Sequence, residues 1–431
     1  MQVTPIPLDG ARKLDADDTI CTHKEGPMLQ DVVILAGART AIGDFGGSLK
    51  DIAPWELGRI VISEAIKRAG LSPAQIGHVV LGQVIQSEPR DAYVSRIAAI
   101  AAGIPDRTPA LTLNRLCGSS VQALISAAQM IKLGECEFAV AGGVESMSQS
   151  PHVVKTMRWG RRMGDGVMID AMNATLNDPF GAGHMGVTAE NVADRYSITR
   201  QMQDELAAES HRRAGIALAE GRFEAQIVPV EVRGKDGLVQ FALDEHVRTE
   251  LSHAALQALK PIFRQENGTV TAGNASGIND GAAALVLASA DAAARHGLEP
   301  RARVVGWGHA GVAPEVMGLG PVEAVPIALD RCGLTLEDMD VIEANEAFAA
   351  QACAVAKLLG FDPAKVNPNG SGIGLGHPVG ATGAIITIKA LYELERIGGR
   401  YGLVTMCIGG GQGIALVIER LPQAETDYAR H

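Results

Sequence analysis

The sequence predicts an α/β protein made of two similar domains with an extra segment inserted in the first. Three observations carry that reading. From Asp31 onward apolar runs of strand length alternate with amphipathic helical stretches. The composition is 47% apolar but only 4% aromatic, with 50 glycines among 431 residues, which suits an Ala/Val/Ile/Gly interior of closely packed backbones. Similar phrases also recur at an offset of about 260 residues, too long for a short tandem repeat.

In chain order, "DVVILAGA" predicts a buried strand and "WELGRIVISEAIKRAG" an amphipathic helix ending on Gly70. "HVVLGQVI" predicts a second strand. In the second half "RARVVGWGHAG", "VEAVPIALDRCG" and "MDVIEANEA" repeat the order, with Gly333 as the helix stop. The third pair is the most informative. "NRLCGSSVQALISAAQMIKLGECEFAVAGG" sets Cys117 before a helix and a strand. "GLGHPVGATGAIITIKALYELERIGGRYGLVTMCIGGG" sets His377 in the same place, with Pro378 as the expected first helical residue. Val121, Leu124, Ile125 and Ala128 give the first helix one apolar face, whereas Ala384, Ile385, Ile386, Ile388, Ala390 and Leu391 surround the second. Two such helices packed between two sheets bring Cys117 and His377 together. The expected domains are 29–146 with 278–299, and 300–421. The insert, 147–277, reads as a separate lobe. Residues 1–28 read as a disordered extension, with Met28 as an alternative start, and 422–431 as a tail.

A net charge of −11 argues against broad contact with nucleic acid or an anionic membrane. No apolar run approaches the roughly 20 residues of a membrane span. Six dispersed cysteines without a CxxC pair predict reduced thiols in a reducing compartment, the cytoplasm, and no cysteine-based metal site.

The chemistry concentrates at strand ends and helix starts. Unpaired N–H groups and the dipole of a helix N-terminus stabilise a thiolate at Cys117. A shift of about 2 units below the ordinary ~8.5 makes that form the majority at pH 7. Taken alone, Cys117 is equally readable as a small buried hydrophobe. The glycines before His377 imply backbone close to a ligand or to other backbone. Cys407, in "TMCIGGGQG", ends a strand at a glycine turn whose N–H groups could face an oxyanion. Asn345, in "EANEAFAAQA", could hold a water or carbonyl, or simply cap a helix.

Together "NRLCGSS", "GHMGVTAEN", "VTAGNASGINDGAAA", "EANEAFA", "NPNGSGIGLGHPVGATG" and "CIGGGQG" resemble, in order, the signature blocks of the thiolases, from about Asp31 to Arg420. The likeness is to the acetyl-CoA acetyltransferase and short-chain β-ketothiolase branch. It implies duplicated domains in αβαβα layers with an inserted lid, and a ping-pong exchange between two acetyl-CoA and acetoacetyl-CoA plus CoA. By resemblance Cys117 is the nucleophile, His377 its activating base, and Cys407 the second acid–base. Asn345 holds a water, and the N–H groups of Cys117 and Gly409 form an oxyanion hole. Leu176, His184, Met185, Arg248, Leu259, Phe263, Ala272, Ser276, Ala347 and Phe348 are implied to line the path of coenzyme A. No metal or permanently bound cofactor is implied; CoA thioesters are the substrates. The segment around "VVKTMRWGRRMGDG" resembles a loop that pairs dimers into tetramers, so a homodimer or homotetramer is expected. Two departures stand out: Ser120 where a glycine is more usual, and Ser371 after Gly370. A degradative 3-ketoacyl-CoA or 3-oxoadipyl-CoA thiolase is the alternative. A non-catalytic CoA-binding homologue is a remote one, because every reactive residue is present.

Overall fold

In a computed structural model the protein is described over residues 30–235 and 237–422. The expected extension over 1–28, the tail beyond 422 and Cys21 lie outside those residues. The first half runs through β1 (Val32–Arg39), α1 (Pro54–Arg68), β2 (His78–Gly82), α2 (Val94–Ala101), β3 (Ala110–Leu113), α3 (Ser119–Lys132) and β4 (Phe138–Ser146). The chain then passes through α4 (Met185–Tyr196), α5 (Arg200–Ala219) and a hairpin of β5 (Val230–Gly234) and β6 (Gly237–Phe241). It rejoins the sheet as β7 (Asn279–Ser289). The second half contains β8 (Ala302–Gly311), α6 (Gly320–Cys332), β9 (Met339–Ala344), α7 (Ala349–Leu359), α8 (Thr382–Ile397), β10 (Tyr401–Ile408) and β11 (Gln412–Arg420).

The sheet makes the duplication explicit. Its order is β9-β10-β11-β8-β1-β7-β4-β2-β3, with the two-residue strand Gly43–Asp44 beside β7. In the first half β1 and β4 flank β7 antiparallel, and β4, β2 and β3 run parallel. In the second, β8 and β10 flank β11 antiparallel and β9 runs parallel to β10. Ile342 of β9 even bridges Val366 in parallel, where β2 pairs with β3. The halves meet edge to edge through only two residue pairs, Val33–Arg303 and Ile34–Ala302.

Local sequence explains the helices. In α1, Leu57, Val61, Ile62, Ala65 and Ile66 form one buried face. Pro54 opens the helix, Lys67 and Arg68 complement its C-terminal dipole, and Gly70 ends it at φ +68°. Gly333 and Gly398 end α6 and α8 in the same left-handed conformation. α1 covers the outer face of the first half and α6 that of the second; α3 and α8 lie between the halves, touching strands of both. Accordingly α8 is buried on every side, each large aliphatic contributing on the order of 1.5–3 kcal/mol. Even its Lys389 is enclosed, paired with Glu343 at 2.8 Å.

The insert is not a free-standing lobe. Met185, Val192 and Ile198 share one apolar cluster with Met317, Phe348 and Ala354 of the second half. An amphipathic helix such as α4 buries its apolar face wherever apolar surface is available, and here α7 supplies it. The strand begun at His78 also stops at Gly82, short of the predicted run. Beyond it the N–H groups of Val84 and Ile85 turn to the Glu145 carboxylate instead of a neighbouring strand.

Candidate active site

Cys117 lies in a tight turn between β3 and α3. Leu116 adopts φ +47°, an unusual left-handed conformation for a branched residue. The turn is held by its own polar groups. Asn114 Oδ1 accepts from Leu116 N–H at 2.8 Å, while Ser119 Oγ accepts from Arg115 N–H and donates to the Leu116 carbonyl. Gly118 follows as the helix cap. A Cβ there would stand 2.6 Å from Ile408 Cδ1, so only glycine lets the end of β10 come this close. That approach delivers Cys407 and Gly409 to Cys117.

His377 comes from the glycine-rich segment before α8. The helix begins at Thr382, not at Pro378. The Pro378 carbonyl instead closes a turn, accepting from the N–H groups of Ala381 and Thr382. The reason is visible in the side chains. Thr382 Oγ donates to the Pro378 carbonyl at 2.9 Å and lies 2.7 Å from His377 Nδ1. With its proton committed, the hydroxyl must accept from Nδ1–H, which leaves the Nε2 lone pair toward the pocket. Asn345 Nδ2 approaches Nε2 at 3.3 Å, and Asn345 Oδ1 is buried without a partner. Gly372 makes room for that amide, since a Cβ there would meet Asn345 Oδ1 at 2.7 Å. The His377 backbone is fixed as well, donating to Asn279 Oδ1 at 2.8 Å.

Electrostatics differ from the expectation of a preformed thiolate. Burial pushes the Cys117 thiol up to about 11, although the N–H groups of Gly409 and of Cys117 itself pull the other way. Burial also holds His377 down at about 4. Cys407 is driven far above the usual thiol range by burial and by Cys117 beside it. Loss of solvation outweighs a helix terminus worth about 1 kcal/mol. The pocket therefore holds a neutral thiol and a neutral imidazole at rest.

Cys117, His377, Cys407 and Gly409 open on one pocket of about 540 Å³, and Leu176, Met185, Ser276, Ala347 and Phe348 form part of its wall. Outward from it, Phe348 meets Phe263 edge-on at 6.2 Å and Phe263 stacks on His184 at 4.6 Å. The Leu259 side chain is partly exposed and Ala272 is exposed, both outside the pocket wall. Arg248 is also elsewhere. It lines a separate groove with His211, Arg212 and His253, and pairs with Asp44 at 3.1 Å. Sequence reasoning missed Val84, Leu116, Thr175, Met317 and Val379 in the wall, and Thr382, Asn279 and Glu145 behind it. Leu116, Val379, Thr382 and Asn279 fall inside the recognised blocks; nothing marks Val84, Thr175 or Met317.

Comparison with known proteins places the chain in a family. The model "Thiolase, N-terminal domain" matches residues 32–291 and "Thiolase, C-terminal domain" matches 298–420. Beta-ketothiolase BktB of Cupriavidus necator is 60% identical over 394 residues, 91% of this chain and all of the relative. An acetyl-CoA acetyltransferase of the same organism is 48% identical with the same coverage. Among solved structures, acetyl-CoA acetyltransferase from Bacillus anthracis aligns with a TM-score of 0.89 at 48% identity, covering 91% of this chain and 100% of its own. Human mitochondrial 3-ketoacyl-CoA thiolase in complex with CoA aligns at 0.88 and 42% identity, covering 91% and 99%.

Proposed function

The chain belongs to the thiolase family of acyltransferases, and from that premise we propose how its pocket carries out acetyl-CoA C-acetyltransfer. Coenzyme A thioesters are its substrates. His377 Nε2 takes the Cys117 proton as sulfur attacks the acyl carbonyl, and the departing coenzyme A sulfur takes the Cys407 proton, giving an acetyl-Cys117 thioester, a protonated His377 and a Cys407 thiolate. The Cys407 thiolate then removes a proton from the methyl group of a second acetyl-CoA and returns to the neutral thiol. The carbanion attacks the acetyl carbonyl, the bond to Cys117 breaks, and acetoacetyl-CoA departs. The proton held on His377 returns to the Cys117 thiolate and closes the cycle. Thiolysis runs the same steps backwards, with Cys407 protonating the departing enolate.

Each charge that develops has a donor at hand. The N–H groups of Cys117 and Gly409 answer the oxyanion on the acyl-cysteine. Protonated His377, together with a water held at the free Asn345 Oδ1, answers the thioester enolate. The dry wall of the pocket strengthens both interactions. His184, Phe263 and Phe348 offer a stacked apolar path for the pantetheine arm, and the Arg248 groove offers positive charge to the nucleotide end. We read the protein as a cytoplasmic homodimer or homotetramer.

The observation that carries this reading is two thiols and one imidazole converging on a single buried pocket. Thiolysis of acetoacetyl-CoA, followed by loss of its enolate absorbance, is expected to proceed with the native chain and to vanish in Cys117→Ala. Turnover by the alanine variant at more than about a thousandth of the native rate would reject Cys117 as nucleophile. Relative kcat/KM along a series of 3-ketoacyl-CoA chain lengths separates a short-chain enzyme from a degradative one.

A further inference from the structure

Helix α5 of the inserted segment carries one hydroxyl to the back of the catalytic groups. Ser210 is buried, and its Oγ lies 2.6 Å from Glu346 Oε2, 3.2 Å from Ser371 N and 3.1 Å from Gly374 N. Both N–H groups donate to Oγ, so its own proton must go to the carboxylate. The other Glu346 oxygen accepts from Asn367 Nδ2 at 2.9 Å. Asn367 in turn closes two bonds on Ala344, accepting from its N–H at 2.9 Å and donating to its carbonyl at 2.8 Å. Both neighbours of Asn345 are thus held from behind. The same hydroxyl holds the Ser371–Gly374 turn that leads into His377. The next residue along α5 faces elsewhere: His211 Nδ1 accepts from the Arg248 N–H at 3.1 Å, in the groove beyond the pocket.

We propose that Ser210 is a positioning residue that locks Asn345 and the His377 segment into one geometry and gives the inserted segment its grip on both. This rests on the roles assigned above to Asn345 and His377. Ser210 touches no substrate and acts only through the backbone and Glu346. Removing its hydroxyl leaves a buried carboxylate oxygen and two buried N–H groups without partners, and the segment must shift to satisfy them. The contact that degrades is the one between Asn345 Nδ2 and His377 Nε2. Small misplacements of catalytic groups cost rate far more than they cost binding.

The test is steady-state thiolysis by the native chain, Ser210→Ala, Glu346→Gln and the double variant, each with acetoacetyl-CoA and with acetoacetyl-pantetheine, which lacks the nucleotide. Ser210→Ala is expected to lower kcat about tenfold on both substrates, with KM moving less than about twofold. The double variant is expected to lose less than the product of the two single losses, because the hydroxyl and the carboxylate act as one unit. Three outcomes overturn the proposal: an unchanged kcat in Ser210→Ala, a defect confined to KM for acetoacetyl-CoA, or losses that multiply in full. Should Ser210→Ala fail to fold, Ser210→Cys, which keeps a weaker donor in place, is read by the same criteria. Absence of thiolysis in the native chain would sink the functional reading instead.

Discussion

At the scale of single residues the pocket is built to keep its charges neutral until substrate arrives. Cys117 is raised to about 11 and His377 lowered to about 4, both by burial. His377 is therefore an available base at every pH above roughly 5, and kcat/KM is expected to fall only as acid protonates it toward pH 4. The thiol has the opposite sign: its reactive form grows as pH rises. Inactivation by iodoacetamide should keep accelerating from pH 6 to pH 9 with no plateau below 8. A plateau there would mean a standing thiolate and would contradict the neutral pair. The sequence singled out Cys117, His377 and Cys407 by type and flanking glycines, which are local facts, and the three line one pocket. It missed the raised thiol, because burial of Cys117 and the nearby Glu145 charge are both set by distant segments.

At the scale of elements the two central helices stabilise each other. Ser120, in the first turn of α3, accepts from the Ala384 N–H of α8 at 2.9 Å. The cap position of α8 is Ala381, which has no side-chain acceptor, so the serine of one half caps the helix of the other. This gives a structural task to Ser120, one of the two positions where the sequence departs from the motif it resembles. Ser120→Ala is expected to cost about 1–2 kcal/mol, read as a lower urea midpoint at unchanged m-value. Wild-type stability in that variant would show the hydroxyl to be idle. Ser371 is occupied too, its hydroxyl donating to the Ala344 carbonyl at 3.2 Å. Existence and order of α1, α3, α6 and α8 were legible because their apolar faces and terminal glycines are periodic and local. The start of α8 was not, because the Thr382 side chain, bonded to both Pro378 and His377, decides where the turn ends.

At the scale of the whole molecule the sheet is continuous but thin at its middle, two residue pairs wide between β1 and β8. Cohesion there comes from α3 and α8, sandwiched between the halves, and from the insert, which is tied at both ends of its reach. Arg39 at the end of β1 makes a fully buried pair with Asp244 at 2.8 Å, and Ser210 holds Glu346 of the second half. Among the described residues one exposed apolar cluster lies beside a run of arginines. Met157, Trp159, Met163, Val167 and Met168 expose apolar side chains beside Arg158, Arg161 and Arg162, and Trp159 is 90% exposed. An apolar cluster of that kind is unusual on a monomer and fits burial between copies. Sedimentation velocity is expected to show a tetramer that Trp159→Glu reduces to a dimer with thiolysis intact; an unchanged assembly would remove this loop from the interface.

The sequence by itself determined the duplicated α/β plan and singled out Cys117, His377 and Cys407, which share one pocket. Hydrophobic period, helix-stopping glycines and six ordered motifs are properties of short stretches, and they survive without knowledge of neighbours. Only the tertiary structure decided that the insert shares the second half's core. It also decided that the thiols rest protonated, that Arg248 faces another groove, and that Ser120 and Ser210 serve residues in the other half. Each of those depends on which distant groups exclude water or complete a hydrogen bond, and burial is set by the whole fold.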